Sequence, residues 1–322
     1  MKITVLDLFS GIGGFHLGLK GAGFEIESYF SEVDKYAIQV YQNNFKEAKY
    51  VGSVTDVRGT DLPRINAITF GSPCQDFSLA GKRKGMEGNR SSLITHAIRL
   101  IDECRPDFFI WENVKGTFSS NNGEDFWAII QAFTNIGGYR LEWQLLNTKW
   151  FLPQNRERIY LVGYLGNGSG GQVFPIGDNH RAFDGTTDRA NTCTLTARYT
   201  AIGTGSYINE LYKVSSATKS GYEEARSGDS INLSVPTSKT RRGRVGKGVA
   251  QTLDTQCNQA VVSNKIRRLT PIECERLQGF PDNWTKFGTQ GEISDSQRYK
   301  MCGNAVTVDV VKAVAEQIKK IL

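Results

Sequence analysis

The first half of the chain alternates short apolar runs with helical patterns, and few architectures accept that alternation. Residues 3–8 read as a buried strand, followed by glycines and a helix to about Ala22. Residues 26–31 read as a second strand and 35–45 as a second helix. Apolar strands recur at 65–70 and 107–111, a helical pattern at 126–133, and a last strand at 158–164. Such a series predicts an α/β fold with a doubly wound, mostly parallel sheet. Ligands of such sheets sit beyond the carboxyl ends of the strands. The motifs taken from this half lie at or just past a strand end, except Gln154 and Arg156, which fall just before the 158–164 strand.

The alternation stops after Gly166, where Asn167-Gly168-Ser169-Gly170-Gly171 reads as a linker. From there to about residue 264 the chain is rich in Thr, Ser, Gly and Arg, which predicts a smaller β-rich, loop-rich domain. Helical patterns return at 271–278 and 306–321, the last expected to pack back on the first domain. The expected division is 1–165 plus 300–322, a second domain at 166–265, and a connecting region at 266–299. The formal charge of +6 allows an anionic partner without requiring one. The six cysteines are scattered with no C-x-x-C pair, which argues for a reduced, cytoplasmic protein and against a clipped metal. The opening Met1-Lys2-Ile3-Thr4-Val5-Leu6-Asp7 meets an aspartate too soon for a secretory signal or a membrane span.

The loop Asp7-Leu8-Phe9-Ser10-Gly11-Ile12-Gly13-Gly14 joins the first strand to the first helix. Its glycines serve either a tight turn or a close approach to a ligand. A dinucleotide loop would carry G-x-G-x-x-G, and His16 stands at the third glycine position, against a pyrophosphate cofactor. Glu32 follows the second strand, where a carboxylate accepts hydrogen bonds from ribose hydroxyls, and Asp56 is an acceptor for an adenine amino group. Taken singly, either acid reads as solvated surface; their order behind the glycine loop is what points to an adenosine-containing cofactor. Gly71-Ser72-Pro73-Cys74-Gln75-Asp76-Phe77-Ser78 places a cysteine just past a strand end, the position of a nucleophile or of an inert half-buried thiol. Glu112-Asn113-Val114 follows another strand, and Gln154-Asn155-Arg156-Glu157-Arg158 sets two arginines two residues apart, on one face if extended. Those arginines either hold a substrate oxygen or phosphate, or pair with surface acids.

Phe9-x-Gly11-x-Gly13-Gly14, Pro73-Cys74-Gln75-x-Phe77-Ser78, Glu112-Asn113-Val114, Gln154-x-Arg156-x-Arg158 and Gly303-Asn304-x-Val306 occur in that order. With Arg268-Leu269-Thr270-Pro271-x-Glu273-Cys274 and the following Gly279-Phe280-Pro281, the set resembles the cytosine-5 DNA methyltransferases of restriction-modification systems and phages. The resemblance implies methyl transfer from S-adenosylmethionine, leaving S-adenosylhomocysteine, to C5 of a flipped-out cytosine in duplex DNA, with no metal. It makes Cys74 the nucleophile at C6, Glu112 the partner of N3, and Arg158 the contact to O2, with Arg156 nearby. It assigns the cofactor to Phe9, Gly11, Gly13, Glu32, Asp56, Leu93, Asn304 and Val306. Val33 stands where some relatives carry a tryptophan that stacks on adenine.

On the DNA side the resemblance implies Gln75 and Ser78, with Lys82 and Arg83 in a basic loop closing over the duplex. The region 166–265 corresponds to the sequence reader of relatives. It holds two Thr-Leu pairs, Thr194-Leu195 and Thr252-Leu253, the second better placed to support the strand beside the flipped base. In the basic run from Lys239 to Gly248, most cations are expected on phosphates, with Arg242 or Arg244 reading a base. A cognate restriction endonuclease acting on the same site, a monomeric enzyme and no membrane are the further implications. A tRNA cytosine methyltransferase of the same architecture would show a short variable domain and a Cys-Phe-Thr segment, and neither is present. A DNA binder that has lost catalysis is opposed by the intact Cys74, Glu112 and Arg158, and a nicotinamide-dependent oxidoreductase by His16.

Overall fold

A computed structural model describes residues 1–72, 93–165, 171–177, 211–236, 238, 240–263 and 266–322. The strands of the first half are β1 (Lys2–Leu8), β2 (Glu25–Ser31), β3 (Lys49–Tyr50), β4 (Ala67–Gly71), β5 (Phe108–Val114), β6 (Tyr139–Asn147), the short β7 (Gln154–Asn155) and β8 (Glu157–Leu165). Among the described residues, seven of them build one sheet in the order β3-β2-β1-β4-β5-β8-β6, with β7 outside it. The strands from β3 to β5 are parallel, and β8 runs antiparallel to both its neighbours.

Alternate residues of the central strands feed two separate cores. Ile3, Val5, Phe108, Ile110 and Val162 face one side, while Leu6, Leu8, Phe109, Trp111 and Leu161 face the other. Strands buried on both faces read as continuous apolar runs, which is why they were legible in the sequence. The helices of this half are α1 (Gly14–Gly21), α2 (Lys35–Asn44), α3 (Leu93–Cys104) and α4 (Glu124–Ile136). Three more follow at the end of the chain: α5 (Pro271–Leu277), α6 (Asp295–Asn304) and α7 (Val308–Ile321). Helix α5 starts with a capping box between Thr270 and Glu273 and a proline at its first turn. Helix α7 packs on α1 so closely that a Cβ on Gly18 would lie 2.5 Å from Val311 Cγ1. The return of the last helix to the first domain therefore depends on a glycine in α1.

The described part of the middle region is strand-rich. A hairpin of β9 (Tyr212–Ser215) and β10 (Tyr222–Ala225) adjoins β11 (Ser230–Asn232), β12 (Val245–Gly246), β14 (Gln259–Val262) and β15 (Ile266–Arg268), the last four paired in the order β12-β11-β14-β15. Strand β13 (Ala250–Gln251) leaves this group and pairs in parallel with β7, so the two regions share a strand contact. Outside 166–265 the sequence pattern misses β6, α3 and α6, besides short strands such as β3 and β7. The edge strand β6 is only half-buried along most of its length, and α6 carries almost no apolar stripe. Helix α3 does present a legible one, Ile94, Ala97, Leu100 and Ile101.

His16, the residue that breaks the dinucleotide pattern, is buried behind the β1–α1 turn. It stacks on Phe45 with ring centroids 3.7 Å apart, and its Nδ1 lies 3.1 Å from the Tyr41 hydroxyl. Burial, aided by the charge of Lys20, lowers its imidazole from 6.5 to about 4. Below 6.5 the unfolded chain takes up a proton that the native state refuses until about 4, so native stability falls as pH drops through that window. His16→Gln is expected to shrink the loss of Tm between pH 7 and pH 5. Melts in both buffers that give parent and variant the same loss would assign the acid sensitivity to other groups.

Candidate active site

The carboxyl ends of β1, β2, β4 and β5 meet at a cavity of about 400 Å³. Phe9 and Gly11 reach it from the turn after β1, Glu32 from the end of β2, Gly71 from β4 and Glu112 from β5. Leu93, the first residue of α3, and Asn304, the last of α6, supply further wall. Phe9 holds a left-handed backbone, φ +50°, uncommon for a side chain with a Cβ and a mark of strain at a ligand loop. Gly11 is also left-handed at φ +53°, with open space where a Cβ would project, so its glycine answers to backbone conformation. Glu32 is fixed by three backbone donors: Gly11 N–H reaches Oε2 at 2.8 Å, while Val33 and Asp34 N–H reach Oε1 at 2.7 and 2.9 Å.

The other end of the cavity is polar. Antiparallel pairing sets Val114 opposite Arg158 and Glu112 opposite Tyr160, which makes Glu112 and Arg158 diagonal neighbours on one face. Arg158 Nε lies 3.1 Å from Glu112 Oε1, and both side chains are largely buried. The contact is an ion pair without hydrogen-bond alignment, so Oε1 keeps its acceptor capacity although it is shielded from water. Gly71 leaves room for this carboxylate, since a Cβ there would stand 3.2 Å from Glu112 Oε2. Asn113 Nδ2 donates to both the carbonyl and the hydroxyl oxygen of Ser72 at 3.1 Å, and Trp111 Nε1 donates to the same hydroxyl at 3.0 Å. These contacts fix the backbone two residues ahead of Cys74. Ser72 was not singled out in the sequence, and nothing in its spacing marks it. Cys74 itself, with Gln75, Ser78, Lys82 and Arg83, lies outside the described residues, as does Thr194-Leu195.

Residues 3–320 match the family described as C-5 cytosine-specific DNA methylase. The chain belongs to this family. It is 32% identical to the Type II methyltransferase M.NlaX of Neisseria lactamica over 99% of this chain and 96% of the relative. To the Type II methyltransferase M.Bsp6I of Bacillus sp. it is 30% identical, over 99% of each. The solved structure of the S. pombe Dnmt2 methyltransferase shares the fold at TM-score 0.63 and 20% identity, covering 99% of this chain and 98% of that one. The enzyme class is DNA (cytosine-5-)-methyltransferase.

In this methylase the cavity brings together Phe9, Gly11, Glu32, Leu93, Asn304, Glu112, Arg156 and Arg158 of the residues expected at the site. Gly13, Asp56 and Val306 are not in its wall. Gly13 is required by packing, because a Cβ would sit 2.4 Å from Phe45 Cε2. Val306 packs over Gly14 on the core side, and Asp56 is exposed and accepts from the Thr55 hydroxyl at 3.0 Å. Arg156 is 3% exposed and donates through Nη2 to Ala305 O at 2.8 Å and through Nη1 to Gly303 O at 3.4 Å. Burial, then the nearby Arg158, lowers its guanidinium to about 10, still cationic at neutral pH. Arg156 is thus a positioning residue for the segment that carries Asn304. Thr252 donates to Asn155 O at 2.8 Å and Leu253 N–H to Gln154 Oε1 at 3.1 Å, so this Thr-Leu pair is tied to the run before β8.

Arg244 corrects the sequence expectation of a base reader. It is 2% exposed, and its two Nη atoms donate to the carbonyls of Ser215, Pro236, Ser234 and Val235 at 2.9–3.0 Å. With both Nη atoms committed to four carbonyls and its Nε buried, this guanidinium braces its own domain and presents no donor at the surface for a guanine edge. Arg242 remains exposed, with Nε donating to Ala217 O at 2.8 Å. Among the described residues, no group of three or more His, Cys, Asp or Glu could hold a metal ion. No described helix is long and apolar enough to cross a membrane. Arg156→Met removes the donors to the buried Ala305 carbonyl and the partly buried Gly303 carbonyl and is expected to cost roughly 2–4 kcal/mol of stability, read by urea denaturation. A loss within ~0.5 kcal/mol would remove Arg156 as the brace of the Gly303–Ala305 segment.

Proposed function

We propose that this methylase moves a methyl group from S-adenosylmethionine to C5 of a cytosine flipped out of a short, specific duplex site, through a covalent bond between Cys74 and C6. The observation that carries the reading is the Glu112–Arg158 pair at one end of a cavity whose other wall holds Phe9, Glu32 and Asn304. That donor set suits the cofactor. The oriented Glu32 carboxylate has lone pairs left for ribose hydroxyls, Phe9 and Leu93 give apolar wall, and the Asn304 amide both donates and accepts. When bound, the cofactor supplies an electrophilic methyl on a sulfonium sulfur.

Cytosine C5 is a weak nucleophile, and the protein's task is to raise its electron density. The Cys74 thiolate forms a bond to C6, and the displaced π electrons move through C5 towards N3. Glu112 meets N3 and relieves the charge that gathers there. Arg158 holds Glu112 and reaches the cytosine O2, so one guanidinium orients the acid and steadies the ring. The bound cofactor would supply its methyl to C5, its S–CH3 bond breaking so that the sulfonium leaves as the neutral thioether; the C5 proton then leaves to a base, and the C5–C6 double bond re-forms as the C6–S bond to Cys74 breaks. Thiolate and methyl approach opposite faces of the ring, which a stacked base does not permit, so the base is extruded.

Residues 166–265 read the target, with Arg242 as the remaining base reader of the basic run, and the cations Lys82 and Arg83 contact phosphates. The Type II relatives support a cognate restriction endonuclease acting on the same site. The methylase works in the cytoplasm as a monomer and forms no stable complex with that nuclease. Expression in bacteria lacking cytosine methylation, followed by bisulfite sequencing of the plasmid, tests the whole reading. Protected cytosines in one short recurring context are expected for the parent and none for Cys74→Ala. Glu112→Gln is expected to slow methylation about 10²–10⁴-fold in vitro. Complete conversion of the plasmid by bisulfite with soluble parent protein present sinks the reading.

A further inference from the structure

A second groove, of about 310 Å³, shares Val114 and Arg158 with the cofactor cavity and otherwise has its own walls. Those walls are Lys115, Gly116, Asn155, Glu157, Gln251 and Thr252. Lys115 opens the 3₁₀ turn after β5, whereas Asn155 and Gln251 face each other in the parallel pairing of β7 with β13. The groove therefore follows the seam between the catalytic sheet and the recognition region and ends at the arginine assigned to the target base. Apart from Val114 its side chains are polar or absent, a lining suited to sugar and phosphate and poorly suited to a stacked base.

One feature of this groove conflicts with a DNA-facing role, the carboxylate of Glu157. Lys115 Nζ lies 2.9 Å from Glu157 Oε2, with the side chains 58% and 40% exposed. A pair this exposed is weakly held and exchanges readily for another anion. We propose that Lys115 grips a backbone phosphate beside the flipped cytosine, and that Glu157 holds Lys115 in the free enzyme as a competitor of that phosphate. The inference rests on the proposed function, because it takes duplex DNA as the occupant of the seam. It gives the misplaced carboxylate a use: sequence-independent binding is discounted, and only a duplex that also engages the recognition region displaces the internal anion.

The two residues have opposite expected effects. Equilibrium binding is measured by fluorescence anisotropy over a salt series, on a duplex carrying the methylated context and on a scrambled one. Lys115→Gln is expected to flatten the slope of log K against log[salt] by about 0.9, the loss of one phosphate contact, on the duplex carrying the methylated context, and to leave the slope on the scrambled duplex at the parental value. Lys115→Arg, which keeps the charge, restores the parental slope. Glu157→Gln is expected to bind about two- to fivefold tighter at low salt, with the larger gain on the scrambled duplex. A parental slope for Lys115→Gln on the duplex carrying the methylated context, or no tightening for Glu157→Gln, overturns the proposal. The parent is assayed first for binding and methylation. A parent that does neither sinks the proposed function with it, whereas a parent that does both alongside an unaltered Lys115→Gln overturns the phosphate contact alone.

Discussion

The site depends on the reversed direction of β8. In a parallel sheet only the carboxyl ends of strands reach the ligand edge. Because β8 runs antiparallel to β5, its amino end arrives at that edge instead, and with it come Gln154, Arg156 and Arg158. This resolves the one exception in the sequence pattern, where the Gln-x-Arg-x-Arg run precedes a strand and every other motif follows one. The Glu112–Arg158 contact is then a matter of register. A slip by one residue would turn Arg158 to the opposite face of the sheet. Register is held firmly because both faces of β8 are buried, Ile159 and Leu161 in one core and Tyr160 and Val162 in the other.

The same short run ties three other parts of the chain to the sheet through buried polar contacts. Gln154 accepts from Leu253 N–H of the strand-rich middle region and donates to Leu277 O at the end of α5. Arg156 donates to the carbonyls between α6 and α7. Gln278 continues the chain of contacts, donating to Cys302 O and accepting from the Thr307 hydroxyl. Buried polar groups are costly when unpaired and directional when paired. They therefore fix where these segments sit more sharply than apolar packing does. Within five residues, Arg158 pairs with Glu112 at the cavity while Gln154 and Arg156 hold the scaffold.

The α/β architecture was legible because central strands buried on both faces cannot avoid long apolar runs. The edge strand β6 carries a different signal, the strict alternation Tyr139-Arg140-Leu141-Glu142-Trp143-Gln144-Leu145 of a half-buried strand, which a search for continuous apolar runs passes over. The site was legible as motifs in order, and the structure gathers most of them round one cavity. What the sequence did not show is which motif residues line that cavity and which pack beneath it. Gly13 faces Phe45 and Val306 covers Gly14, roles set by atoms distant in the chain. Nor did spacing reveal Ser72, whose importance lies in the donors of Trp111 and Asn113 converging on it from the next strand.

The cations make the same point about partners. Arg156 and Arg158 stand two residues apart, and so do Arg242 and Arg244, and in each pair one member is buried on carbonyl oxygens. A basic run counts charges but not the acceptors that the fold turns toward them. Around Arg244 the carbonyls at 234–236 converge on a single guanidinium, and a residue without five fixed donors would leave several of them unpaired. The charge left for an anionic partner is therefore smaller than the basic run suggests. Arg242 beside the middle strands and Lys115 at the seam are cations that stay at the surface. Lysine carries its ammonium on a flexible stem, which under the proposal for the seam lets Lys115 exchange Glu157 for a phosphate.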